Sequence, residues 1–424
     1  MLTMTRLSCV TQAERLLPTL TQGAAVLALA LLWVTGTSAA PKYRVLHGFT
    51  SGDDGSAPFA GVVMDKQGNL YGATWGGGEH SLGTIFGLTA HSGGRWSETI
   101  LHSFDGSDGA LPLGGLILDP SGNLYGATAR GGTDNSATAF ELKPTSGGWK
   151  FSVLYNAGSY GNLVLDKAGN LYGTGGPGKH DEGDVFELMT GSDGWTENVL
   201  YSFCAKSHCL DGAGPYAGPT WDTSGNLYGT TQSGGKGSPQ WGTAYELKHN
   251  PDGSWQHVLL HSFPSFPGDG EVVYAGLVLD AEDNLYGATN SGGGHACGQT
   301  STCGTVFKLS RNANGLWKEI ILYRFPNPYN GNSPGASLVF DKAGNLYGTA
   351  AGGGNNACAN GCGVVFKLTP SSNGTWRYSV LHRFTGSDGA NPAAALILDE
   401  KGNLYGTTTL GGAGGYGVVF EITP

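Results

Sequence analysis

Charge is scarce in this chain. Asp, Glu, Lys and Arg make up 13% of its 424 residues, too few to solvate the outer faces of many amphipathic helices. Basic residues are scarcer than acidic ones, 23 against 33, for a net charge of −10, and no basic run is visible. That balance excludes nucleic acid and anionic membrane surfaces as partners, because both need clustered Lys and Arg. Long apolar runs are missing too. Beyond residue 40 no segment carries apolar residues at helical spacing, and none reaches the roughly 20 residues of a membrane span.

Cysteine is sparse and local. Apart from Cys9, the seven cysteines form three short-range pairs: Cys204 with Cys209, Cys297 with Cys303, and Cys358 with Cys362. Even numbers in local pairs read as disulfides in an exported chain. His208, beside Cys209, does not complete a metal-ligand pattern, so no metal site is assigned. Residues 1–39 fit export as a signal peptide. Arg6 and Arg15 lead into an apolar run over Ala24–Val34, and Thr37-Ser38-Ala39-Ala40 supplies small residues for cleavage. The mature chain, 40–424, is then expected outside the cytoplasm, secreted or periplasmic, and as a monomer.

What the chain has in excess is glycine, 74 residues, and much of it recurs in one motif. Gly68-Asn69-Leu70-Tyr71-Gly72 returns at 122–126, 169–173, 225–229, 344–348 and 402–406, and with Asp283 in place of the first glycine at 283–287. The seven copies are 47 to 61 residues apart. A near-fixed period marks a supersecondary unit that must stack on its neighbours. Four strand-like blocks surround each copy in fixed order. An apolar run ends in Asp, as in Gly276–Asp280. Then come the motif itself, a segment such as Gly304–Leu309, and a strand from a Trp to an aromatic, as in Trp376–Phe384. Uninterrupted apolar runs suit strands covered on both faces, as in propeller blades; a two-sheet sandwich would show alternation.

The chain ends determine closure. The last repeat lacks its fourth block, and an unpaired fourth block, Tyr43–Phe49, precedes the first repeat. Joining them completes one sheet and removes the free edges. The expectation is an all-β, seven-bladed β-propeller with four-stranded blades, the last closed by residues 43–49.

Most recurring side chains read as structural. Asp65, Asp119, Asp166, Asp222, Asp280, Asp341 and Asp399 open Asp-x-x-Gly-Asn turns, where a carboxylate accepts from backbone N–H groups. One Tyr and, in six blades, one Trp per repeat read as packing between blades. His47, His102, His261 and His382 interchange with Tyr155, Tyr201 and Tyr323, which does not suit a single positioned catalytic base.

The repeat as a whole resembles the Gloeo/Verruco repeat of bacterial choice-of-anchor tandem-repeat (GloVer-containing) proteins, over residues 43–424. The resemblance implies an exported bacterial protein, often anchored through a C-terminal segment. It supplies no catalytic residues. This sequence ends at Pro424 with no apolar tail, so release is expected.

Alternating connections place the long, variable loops and all three cysteine pairs on one face, the candidate ligand surface. The candidate lining residues are Trp75, His80, Asp211, Tyr216, Trp241 and His295, and the expected ligand is a glycan or a surface protein. Asp54, Asp108, Asp211, Asp269 and Asp388 lie in Asp-Gly loops on this face. They could ring the funnel and hold Ca²⁺, but Asn330 replaces Asp in one repeat and another lacks the loop, so turns are preferred and no cofactor is required. The alternative to a binding scaffold is a glycoside hydrolase, polysaccharide lyase or metal-dependent lactonase. Asp181, Glu182 and Glu271 are its available carboxylates, and spacing does not pair them.

Overall fold

The computed structural model describes residues 40–156, 161–176, 178–192, 194–237, 240–264, 268–294 and 303–424. The expected signal peptide, His295 and Cys297 lie outside them. A four-stranded antiparallel sheet forms around every motif copy, giving seven blades. Apart from strands and loops, the described residues hold only three-residue 3₁₀ turns.

Blade 7 joins the two ends of the described chain. Strand Lys42–Gly48 pairs antiparallel with Val418–Thr423, from Lys42 opposite Thr423 to Gly48 opposite Val418. Thr407 Oγ1 also donates across the seam to the Ala60 carbonyl of blade 1 at 2.9 Å. Equivalent threonines do the same within the ring: Thr230 to Ala275 at 2.8 Å and Thr349 to Ala394 at 3.0 Å.

The apolar runs contribute less strand than expected. Only Val63–Met64 of the first, and the matching pair in each other blade, enter the ladder. The preceding residues turn toward the axis, where blades converge too closely for further pairing. Val62 and its counterparts Leu116, Leu163, Leu277, Leu338 and Leu396 are buried there. The second strand, Leu70–Thr74 and its equivalents, is enclosed on both faces, as is the start of the third.

The motif is explained residue by residue. Asp65 Oδ1 accepts from the backbone of Gln67 and Asn69, and Oδ2 accepts from Asn69 Nδ2 at 2.8 Å and Tyr71 Oη at 3.0 Å. The other six copies repeat this set, for example Asp341 with Asn345 and Tyr347. The seven carboxylates are therefore occupied as turn acceptors. The first glycine holds a left-handed backbone (Gly68 φ 86°), and Asp283 takes its place with φ 58°, a conformation that Asp tolerates better than most residues. Each Tyr ring wedges toward the next blade, Tyr71 against Trp149 at 5.5 Å and Tyr286 against Trp376 at 6.3 Å.

Candidate functional site

The seams between blades repeat closely, so the informative seam is the one that departs from the pattern. At six of them a buried Phe ending the outer strand meets the aromatic of the next blade's third strand. Phe49–Phe86 (5.2 Å) and Phe384–Phe420 (5.3 Å) are two examples. Between blades 2 and 3 the sequence has Ala157 at the Phe position, outside the described residues; Asn156 stands where blade 1 has Ser103 and accepts from the Thr133 backbone N–H at 3.0 Å, as Ser103 Oγ accepts from Glu79. The same seam changes a second column. Thr84, Thr138, Thr243 and Thr305 each share a buried hydroxyl contact with a Thr of the second strand, but blade 3 has Asp184 opposite Gly175. Burial, and secondly the Glu197 carboxylate, pushes the Asp184 carboxyl up to about 7.

Over this seam lies a pocket of about 360 Å³. Its lining includes Asn135 and Ala137 from blade 2, Asp181 and Glu182 from blade 3, and Tyr216 from the loop entering blade 4. Asn135, Ala137 and Asp181 are all left-handed, with φ of 55°, 72° and 60°. Three non-glycine residues in that region around one pocket are held there against a cost of about 1–2 kcal/mol each. The Tyr216 ring is 41% exposed and approaches the Tyr274 ring at 6.1 Å. Gln232 Nε2 donates to Tyr274 Oη at 2.6 Å and fixes that ring.

The loops share one face, as expected. Among the described residues the d–a loop bridges to the loop after the second strand in six blades, for example Ser56 with Gly76, Ala110 with Arg130, Ala213 with Ser233, and Ala390 with Leu410. The predicted residues that are described do not share one site. Trp75 is exposed beside Phe59, with ring centroids 6.1 Å apart, and His80 is exposed nearby in blade 1. Tyr216 reaches the pocket. Trp241 instead packs against the core between blades 4 and 5. Asp211 is buried and accepts from Tyr201 Oη at 2.6 Å and from the backbone of Ala205 and Lys206, so its place is to shape the loop. Cys204–Cys209 and Cys358–Cys362 are disulfides within loops. Cys303 is buried; its expected partner Cys297 is outside the described residues.

Sequence reasoning named Asp181 and Glu182 without placing them together, and it missed Asn135, Asn156 and Asp184. The signal was available for Asp184, which stands where four of the blades have Thr. Glu271 sits elsewhere, in the short strand Gly270–Glu271.

A cavity of about 410 Å³ lies at the axis, lined by all seven blades. Its described lining is mostly Gly, Ala and aliphatic residues, with the rings of Phe59, Tyr216 and Tyr274 and with Asn162, Thr220 and Ser337 among the few polar groups, and it includes no charged side chain. Glycosidic or lactone hydrolysis there would need converging carboxylates or a metal cage. Among the described residues neither lines it.

Asp184 has a consequence of its own. Its folded-state value is raised, so its favourable contribution is complete below pH 3.8 and is lost as pH rises through about 7. Asp184→Thr, which installs the residue of blades 1, 2, 4 and 5, is expected to stabilise the protein at pH 8 by about 1–2 kcal/mol after allowing for solvent screening. The gain should vanish near pH 4. Thermal melts at both pH values check this.

The chain is a seven-bladed β-propeller with a loop-face pocket at its least regular seam. It belongs to the Gloeobacter/Verrucomicrobia repeat family, whose model matches residues 34–235, 160–375 and 296–424. No curated protein matches the sequence. Among solved structures, the fold is similar to that of an ancestral GH74 enzyme, with a TM-score of 0.51 at 9% identity over 87% of this chain. The chain spans about half, 51%, of that protein.

Proposed function

We propose that the protein is an exported, non-catalytic binding propeller whose ligand is a glycan held in the pocket between blades 2 and 3. The observation that carries this is an exposed aromatic platform, Tyr216 beside Tyr274, bordering a polar pocket whose lining backbone is strained. Sugar rings present apolar C–H faces to aromatic rings and hydroxyls to groups such as Asn135, Asp181 and Glu182. Local disulfides and the N-terminal segment support export. Among the described residues no helix is long and apolar enough to cross a membrane.

A second reading rests on Asp184. A carboxyl raised to about 7 near a pocket is the kind of group a glycosidase uses as general acid. Asp184 is buried and does not line the pocket, which favours binding.

The test is a glycan array run beside a polysaccharide-hydrolase panel. Stable binding is expected, weakened about tenfold in Tyr216→Ala for the loss of one stacking platform, and retained in Asp184→Thr. Binding to surface proteins but to no glycan would replace the ligand class. Release of sugars that is abolished in Asp184→Thr would move the protein to the carbohydrate-active enzymes.

A further inference from the structure

Each seam also repeats a second arrangement near the loop face. A His or Tyr of one outer strand (His47, His102, Tyr155, Tyr201, His261, Tyr323 or His382) holds this position and, where the loop that follows it is described, faces that loop. The outer strand of the next blade supplies the opposing residue, always from the same register position. At four seams that residue is a ring stacked on the first: Phe151 on His102 at 3.7 Å, His257 on Tyr201 at 4.5 Å, Tyr378 on Tyr323 at 4.1 Å and Tyr43 on His382 at 3.8 Å. The histidines there are satisfied as well, His102 by Asp108 at 2.7 Å and His382 by Asp388 at 3.0 Å.

At the other three seams a carboxylate takes the ring's register position, Glu98, Glu197 or Glu319, and at two of them it is joined by a His. Between blades 7 and 1, and again between blades 4 and 5, the stacking ring is replaced by a carboxylate, Glu98 or Glu319. His47 then lies with Asp54 and Glu98, and His261 with Asp269 and Glu319. In each group one atom per residue falls within 4.8 Å of the others. His47 Nε2 is 3.4 Å from Glu98 and 3.8 Å from Asp54; His261 Nε2 is 3.7 Å from Glu319 and 3.8 Å from Asp269. These are too long for good hydrogen bonds. His47 Nε2, Glu98 Oε1, His261 Nε2 and Glu319 Oε1 are nonetheless shielded from solvent without a hydrogen-bond partner. Leaving buried polar atoms unsatisfied, two acidic groups among them, is costly. Something positively charged between them would remove that cost.

We propose that each of these two seams is a binding site for a first-row divalent cation, with Zn²⁺ the best match, clamping adjacent blades through His47, Asp54 and Glu98 and through His261, Asp269 and Glu319. Ligand atoms about 2.1 Å from a tetrahedral ion lie about 3.4 Å apart, close to the separations seen. One imidazole with two carboxylates balances the ion's charge and leaves a fourth position for water. Calcium fits less well, since it takes six to eight oxygen ligands at about 2.3–2.6 Å and gains little from an imidazole. The first site ties the N-terminal strand to blade 1; the second ties blades on the far side of the ring.

The test is equilibrium dialysis of the full chain against Zn²⁺ with metal analysis, alongside thermal melts. Two ions per chain are expected, together with a rise in melting temperature that a chelator reverses. Glu98→Gln and Glu319→Gln should each remove one ion, and the double variant both. Glu98→Phe and Glu319→Phe copy the arrangement around Phe151, so they guard against loss of fold and should bind no ion at the altered seam. His102→Gln, at a stacked seam, should leave two ions bound. Zinc stoichiometry unchanged in the double variant, no zinc bound by the parent chain, or calcium bound in preference to zinc would each overturn the proposal.

Discussion

Deletion of residues 40–49 is expected to abolish folding to a soluble monomer. Strand Lys42–Gly48 covers the edge of Val418–Thr423, whose Val418, Val419, Phe420 and Ile422 are all fully buried. Without it, a row of unpaired backbone groups beside those side chains becomes a template for aggregation. The deletion also removes Phe49, fully buried against Phe86, worth about 1.5–3 kcal/mol of transfer free energy alone. Tyr43, stacked on His382 and donating to the Asp388 carbonyl at 2.5 Å, and Arg44, paired with Glu421, go with it. Together these losses rival the roughly 5–15 kcal/mol that holds a typical domain folded. Size-exclusion chromatography and circular dichroism check the outcome. A circular permutant provides the control. Lys42 already pairs with Thr423, so a short turn joining Pro424 to Lys42, with new ends in the 50–56 loop, should restore a monomer. A soluble, cooperatively melting deletion variant would refute closure by this strand.

Gly348→Ala is expected to destabilise the protein by about 3 kcal/mol, an overpacking cost. The final glycine of the motif has no unusual backbone angle. A Cβ there would lie 2.6 Å from Phe366 Cζ and 2.7 Å from Leu338 Cδ2, inside a core with no room to move. The same contact recurs at Gly72 with Phe86, Gly126 with Phe140 and Gly406 with Phe420. The first glycine of the same copy offers the contrast. Gly344 has φ 80° and open space around its Cβ position, so Gly344→Ala carries only the left-handed cost of about 1–2 kcal/mol. Urea titration of both variants measures the difference. Phe366→Leu should recover part of the loss in Gly348→Ala and none in Gly344→Ala, because only the first pair shares a contact. Equal costs at the two glycines would remove steric exclusion as the reason for the motif's last residue.

Local rules made the architecture legible in the sequence. Seven copies of one motif gave the blade count, and the unpaired block Tyr43–Phe49 gave the closure. The Asp-x-x-Gly-Asn turns followed because the carboxylates of Asp65 and its counterparts accept from donors only two to six residues away. The candidate residues were less legible. Asp211 and Trp241 stood out by type, yet Asp211 bonds Tyr201 Oη and Trp241 packs into the core. Exposure is decided by neighbours distant in sequence.

The sequence by itself determined a ring of seven repeating sheets, because short-range turn chemistry and hydrophobic periodicity act within one repeat. Only the tertiary structure decided what lies between repeats. Asn135, Asp181 and Tyr216 share a pocket across three blades, and His261 meets Glu319 across a seam. The ring brings outer strands more than fifty residues apart into contact, and the chemistry of each seam depends on which two side chains happen to face each other there.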